Sequence, residues 1–205
     1  MSVYAISDIH LGLGVDKPMS VFGNHWESHI EIIRQNWIRN IGLSDTVIIP
    51  GDISWGMNFE QSKPDFEFLE SLPGTKILSK GNHDYWWSTI RKIENYFLEN
   101  NFNSFKILKN NSFKTHEGCL ICGSRGWLLP CDINFKKSDE KILQRELGRI
   151  ENSLKSAASQ NDDNSEIIAF FHYPPLLSGC MNTKFTKLLE DYGVKKCIFG
   201  HIHKG

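Results

Sequence analysis

The stretch TKILSKGNHDYWW, residues 75–87, changes character at its midpoint. Its first half is an apolar run of strand type, entered from Pro73 and Gly74. Its second half sets an amide, an imidazole and a carboxylate in a row at Asn82, His83 and Asp84. Such groups are costly to bury without partners. From residue 86 to 99 apolar positions recur at helical spacing, with Ile90, Ile93 and Phe97 aligned. Strand, polar turn and helix therefore succeed one another, which is the repeating unit of an α/β sheet.

The unit recurs in both directions. VYAIS (3–7) is followed by Asp8 and His10, then by a helix expected from about Trp26 to Ile41 with Ile30, Ile33, Trp37 and Ile41 on one face. TVIIP (46–50) is followed by Gly51 and Asp52, then by a short helix around Pro64 to Leu72, entered through Pro64. EIIAFF (166–171) is followed by His172 and a helix near Thr183 to Tyr192. KKCIF (195–199) is followed by Gly200, His201 and His203. All of these strands read as buried. In the middle, SFKILK (104–109), SFKTHEG (112–118) and CLICG (119–123) have no helix between them and read as antiparallel strands, so the sheets should be mixed. An amphipathic helix runs from Asp139 to about Ala158, with Leu143, Leu147, Ile150 and Leu154 on one face.

Bulk properties exclude several classes. A chain of 205 residues without an evident linker reads as one domain spanning 1–205. The net charge of −1 gives no global drive toward nucleic acid or anionic membrane. No apolar run is long enough to span a bilayer, and MSVYAISDIH lacks the form of a signal peptide, so a cytoplasmic location is expected. Five scattered cysteines argue against a disulfide framework, and Cys119 and Cys122 in CLIC read as core thiols. Neither G-x-S-x-G nor a Walker A loop occurs, and His25-Glu27-His29 has the wrong order for a zincin.

The residues at the strand ends carry the chemistry. In α/β sheets, ligands bind outside the carboxyl ends of strands. Here those ends bear Asp8, His10, Asp52, Asn82, His172, His201 and His203. Turn chemistry accounts for a lone Asp or Asn, but not for four of the chain's eight histidines at strand ends. This oxygen-and-nitrogen set suits Mn²⁺, Fe²⁺ or Zn²⁺. It is too large for one tetrahedral site and fits two adjacent ions sharing a carboxylate. Glycines at 51, 81 and 200 would let the backbone turn sharply beside them.

D-I-H (8–10), G-D (51–52), G-N-H-D (81–84), the lone His172 and G-H-I-H (200–203) resemble the five signature blocks of the calcineurin-like metallophosphoesterases, in the family's order and over almost the whole chain. Within it, GDISWGM and GNHDYWW look most like a small bacterial branch of predicted phosphohydrolases. The resemblance implies a four-layer α/β/β/α fold, with mixed sheets sandwiched by helices. It also implies hydrolysis of a phosphomono- or phosphodiester by a hydroxide bridging two divalent metals, with Mn²⁺ the first choice. Asp8, His10 and His203 would hold one metal and Asn82, His172 and His201 the other, with Asp52 shared. Asn82 and His83 would face the substrate. His83, oriented by Asp84, would protonate the leaving oxygen. The substrate would be a small or nucleotide-like phosphoester. Family members continue past G-H-x-H, so a C-terminal strand is expected to be missing here. A scaffold on the same fold and a nuclease are the competing readings. The full ligand set disfavours the first, and the balanced charge the second.

Three further features have two readings each. Arg125 in GSRGW could contact a substrate phosphate or serve a structural role. Tyr85 or Trp86 could stack a flat group at the substrate mouth, or Trp86 and Trp87 could pack on the sheet. The glycine-bearing loop 11–25 could form part of a lid or be an ordinary connection.

Overall fold

The apolar runs form strands where their spacing places them. The computed structural model describes residues 2–17, 19, 23, 26–162 and 165–202. Two compact units result: Met1–Leu78 with Asn82–Ile107, and Ser79–Gly81 with Leu108–Gly205. Each has its own four-stranded sheet flanked by helices.

The first unit orders β1 (Val3–Ala5), β2 (Thr46–Pro50), β3 (Thr75–Ser79) and β4 (Phe105–Ile107). β1 pairs with β2, and β3 with β4, in parallel. The expectation that residues 104–109 join an antiparallel set is corrected. They are reached through a helix, and a β–helix–β crossover returns the chain parallel. The helices are α1 (His29–Asn40), α2 (Phe59–Glu70) and α3 (Ile90–Glu99). Trp37, Phe66, Leu69, Ile93 and Phe97 from these helices join Val47, Ile49 and Leu78 in one core. Burial of each large side chain contributes about 1.5–3 kcal/mol.

Three helix starts differ from expectation, α1 beginning at His29 rather than about Trp26. α2 begins after Asn58, whose side chain accepts from the Gln61 N–H at 3.0 Å. Pro64 therefore lies inside the helix, where it forfeits one backbone hydrogen bond. α3 begins after Thr89, which caps the Lys92 N–H, so Trp86 and Trp87 precede the helix.

Lys76 of β3 is fully buried. Its ammonium donates to the Leu72 carbonyl and, at 3.1 Å, to Ser104 Oγ. Burial pulls its pKa down to about 8, opposed by the charge of Glu70. Between pH 8 and 10.5 the unfolded chain binds more protons at this lysine than the folded one, so its contribution to stability rises with pH. Lys76→Met should therefore lose ground to wild type across that window, by on the order of 2–3 kcal/mol. Urea titrations of both proteins at pH 7 and pH 10.5 measure it; a constant difference would contradict the assignment.

The second unit orders β5 (Phe113–Lys114), β6 (Leu120–Ser124), β7 (Ile167–Phe171) and β8 (Lys196–Phe199). β5 is antiparallel to β6, and the other pairs are parallel, giving the mixed sheet expected. α4 (Asp139–Ala158) lays Leu143, Leu147, Ile150 and Leu154 onto Leu120, Cys122, Ala169 and Phe171. α5 (Lys184–Asp191) starts from a reciprocal cap between Thr183 and Thr186. β8 is not buried as expected: Ile198 is 39% and Phe199 38% exposed. Among the described residues it is the last strand in the sheet order and pairs only with β7.

The expectation that the scattered cysteines form no disulfide framework is corrected at one pair. Cys131 and Cys180 form a disulfide across 49 residues. They lie in the loops that leave β6 and β7, which are adjacent parallel strands, so the two loops emerge side by side. Cys119, Cys122 and Cys197 are free. Burial pushes the Cys122 thiol up to about 12, which suits an inert packing role. Cys131→Ser should cost about 2–4 kcal/mol of stability under oxidising conditions. Dithiothreitol should destabilise the wild type to the same level and leave the variant unmoved; equal midpoints without reductant would exclude the bridge as a stabiliser. Among the described residues, no helix is long and apolar enough to cross a membrane.

Candidate metal centre

In the first unit, Asp8 and His10 come after β1, Asp52 after β2, and Asn82, His83 and Asp84 after β3. One ligand atom each from Asp8, His10 and Asp52 lies within 4.8 Å of the others. His10 Nε2 stands 3.8 Å from Asp52 Oδ2. Asp52 Oδ1 accepts the His83 N–H at 2.8 Å, which ties the end of β2 to the end of β3.

The backbone here is held away from its easy conformations. Asp8, His10 and Asp52 have φ of 56°, 44° and 52°, and Gly51 has φ of 96°. Left-handed φ is uncommon outside glycine, and Asp, His and Asn are the types that tolerate it best. Such residues persist where the surroundings fix them. Here β1 and β2 continue past their ends as a ladder: His10 N–H donates to the Asp52 carbonyl at 3.0 Å and Leu11 N–H to Ile53 at 2.9 Å.

Asp84, fully buried, supplies the rest of that fixing. Its Oδ2 accepts the Asp52 N–H at 2.9 Å. Its Oδ1 accepts from Ile53 N at 2.9 Å, Ser54 N at 3.3 Å and Trp86 Nε1 at 3.0 Å. This is a scaffolding task, beyond the orienting of His83 expected from the sequence. Trp86 is 3% exposed and packs edge-on to Phe66, so its ring belongs to the core and not to a substrate mouth. Behind the loop, buried Asp65 of α2 accepts from Ser54 Oγ at 2.5 Å and Leu13 N at 2.8 Å. Burial raises its pKa to about 6 against the pull of the Ser54 hydrogen bond.

Trp55 is a site residue that sequence reasoning missed. Its ring stacks on His10 at 4.8 Å and lies 4.7 Å from His83, so one indole steadies two imidazoles. Lys17 sits over the Trp55 ring at 3.3 Å, and Trp55 Nε1 points to Met19 Sδ at 3.1 Å. Both come from the loop 11–25. His25 lies outside the described residues. Tyr85 is exposed, with its ring 6.1 Å from that of His83.

The electrostatics favour a cation. Burial pushes the Asp52 carboxyl up to about 7; the hydrogen bond from the His83 N–H opposes this, and the charges of Asp84 and Asp8 add to it. A divalent ion would offset both the lost hydration and the repulsion among these carboxylates. The donor set of the first unit therefore fits a metal.

In the second unit, His172 comes after β7 and His201 after β8. His172 is fully buried and His201 partly so. His172 Nε2 and His201 Nδ1 are 3.2 Å apart. Two nitrogens at about 2.1 Å from one ion, at an angle of about 100°, would have that spacing; in one tautomer the pair also forms a hydrogen bond. His201 repeats the left-handed backbone, with φ of 69°. His203 lies outside the described residues. Arg125 is engaged by buried Glu146 at 3.2 Å, and its guanidinium covers the Trp127 ring at 4.3 Å. Its structural reading thus has a geometric basis.

Each unit is an α/β layer with carboxylates or imidazoles at the ends of its strands, and the first holds a candidate metal-binding group. The chain belongs to the calcineurin-like phosphoesterase family, whose profile matches residues 1–205. A comparison with curated proteins gave no match. Among solved structures, the protein of unknown function AQ665 from Aquifex aeolicus aligns with a TM-score of 0.48 at 19% identity, over 97% of this chain and 89% of its own. The phosphopantetheinyl hydrolase PptH from Mycobacterium tuberculosis aligns with a TM-score of 0.54 at 14% identity, over 98% of this chain and 82% of its own.

Proposed function

We propose that the chain is a metal-dependent phosphoesterase that hydrolyses a phosphomono- or phosphodiester by direct attack of water on phosphorus. The observation that carries this reading is the Asp8–His10–Asp52 cluster in a chain of the calcineurin-like family. The proposed ligands are the seven read from the sequence, serving two divalent ions, with Mn²⁺ the first choice. When bound, such ions lower the pKa of water and neutralise charge developing on the phosphoryl oxygens.

The chain's own residues supply position and a proton. Asp84 and the extended β1–β2 ladder hold Asp52 in its strained conformation. Trp55 fixes the rings of His10 and His83. His83 gives a proton to the leaving oxygen from Nε2, its Nδ1 being buried. The substrate is a small or nucleotide-like phosphoester. The likeness to a phosphopantetheinyl hydrolase concerns the fold and does not choose that substrate. A cytoplasmic setting is part of the proposal. There Cys131 and Cys180 would rest as thiols, and in an oxidising compartment as the bridge.

The test is hydrolysis of p-nitrophenyl phosphate and bis-p-nitrophenyl phosphate by chelator-stripped protein, with and without added Mn²⁺. The stripped protein should be inactive and Mn²⁺ should restore turnover; the ratio of the two rates then separates monoesterase from diesterase. Direct attack also predicts inversion at a chiral phosphorothioate. No turnover with Mn²⁺, Fe²⁺ or Zn²⁺ would overturn the reading.

A further inference from the structure

Beside His201, the second unit holds a cavity of about 130 Å³. An apolar cavity of about 150 Å³ admits a benzene ring. Trp127, Leu129, Tyr173, Pro174 and Leu177 line it together with His201 and Asp132.

The aromatic wall is fixed in advance. Trp127 Nε1 donates to Asp139 Oδ1 at 3.0 Å. Arg125 covers the ring, and Glu146, a buried residue of α4, holds Arg125 in turn. The Tyr173 ring tilts against Trp127 at 5.1 Å and against His201 at 4.2 Å. The Tyr173 N–H and the His172 N–H both donate to the Arg125 carbonyl, at 2.8 and 3.1 Å. Gly126 makes this approach possible: its φ is 70°, and a Cβ there would stand 2.9 Å from the Tyr173 carbonyl oxygen. A wall held in this way loses little side-chain entropy when a ligand arrives.

We propose that this cavity seats the organic group of the substrate, and that this group is an aryl or heteroaryl ring carried on the phosphate. The inference rests on the reading of His201 as a metal ligand, which brings the phosphate beside the cavity. A flat ring gains offset or edge-on contacts with Trp127 and Tyr173. A polyol could offer a hydroxyl to Asp132 but would set the rest against Leu129, Pro174 and Leu177 without partners. The cavity thereby gives the phosphoesterase a preference that its metal ligands cannot supply.

Calorimetric titration of the Mn²⁺-loaded chain with phenylphosphonate and with methylphosphonate tests this without needing turnover. Phenylphosphonate should bind about tenfold tighter, the order of gain expected for one well-packed aromatic contact. Trp127→Ala opens the wall and Leu177→Trp fills the cavity; in each the phenyl-over-methyl ratio should fall toward one. Because the two variants act in opposite senses, one of them failing to fold leaves the other to decide. Equal affinities in the wild type, or a preference that survives both substitutions, would overturn the subsite and leave the phosphoesterase reading standing. If Mn²⁺ promotes binding of neither phosphonate, the reading of His201 falls, and the subsite with it.

Discussion

Asp52→Asn is expected to lower kcat/KM for p-nitrophenyl phosphate by about a thousandfold or more, while making the metal-free protein more stable. The two effects have one cause. Asp52 is 1% exposed and lies with Asp8 and Asp84 in a cluster of carboxylates. An amide keeps the shape and can still accept the His83 N–H through its oxygen. It carries no charge to desolvate and repels neither neighbour. The same neutrality removes the charge that would bind the metals. Loss of an outer partner to a metal ligand typically costs 10–100-fold, so loss of the proposed shared ligand itself should exceed that. Steady-state kinetics at saturating Mn²⁺, beside thermal unfolding in chelator, checks both halves. Full activity in the variant would remove Asp52 from the centre; a lower unfolding temperature without metal would refute the account of its burial.

Asp84→Ala should destabilise the protein by about 3–5 kcal/mol. One carboxylate accepts four hydrogen bonds at a fully buried position. Truncation leaves three backbone N–H groups and an indole N–H to find new partners, and unpaired buried donors cost about 1–3 kcal/mol each, less than additively. Asp84→Asn retains one acceptor oxygen and should lose about half as much. If Asp84 served the imidazole of His83 alone, Asp84→Asn would slow turnover and leave urea unfolding unchanged. The scaffolding role predicts that stability falls in both variants, and that Mn²⁺ affinity falls with it as the Asp52–Ser54 backbone loosens.

The sequence made much of this visible because the relevant signals are local. β2 is the run TVIIP residue for residue, and α4 spans the Asp139–Ala158 stretch read from Leu143, Leu147, Ile150 and Leu154. Periodicity of two or of 3.6 is a property of neighbours along the chain. Asp8, His10 and Asp52 could be nominated because strand ends are also local. The features that stayed hidden depend on contacts between distant segments. Trp55, in GDISWGM, carries no mark that it will lie against His10, 45 positions earlier, and His83, 28 later. Cys131 and Cys180 look scattered until β6 and β7 lie side by side. The partner of β4 is set by the helix before it, whereas the close spacing of residues 104–123 points to the strands after it. Pro64 misled because its preference for a first turn is weaker than the Asn58 cap. Trp127 and Tyr173, 46 residues apart, form a wall only once the Arg125 carbonyl has gathered the backbone of His172 and Tyr173.

The left-handed φ at Asp8, His10 and Asp52 bears on how this protein can change. Glycine would relax the backbone at each of these positions. A library selected for folded protein alone should therefore drift toward glycine there, and one selected for metal-dependent turnover should be held away from it. β-Branched residues would fail both screens, since they suit neither the conformation nor the ion. Backbone and ligand chemistry accept the same small alphabet of Asp, Asn and His at these places, and the region should be among the least evolvable in the chain.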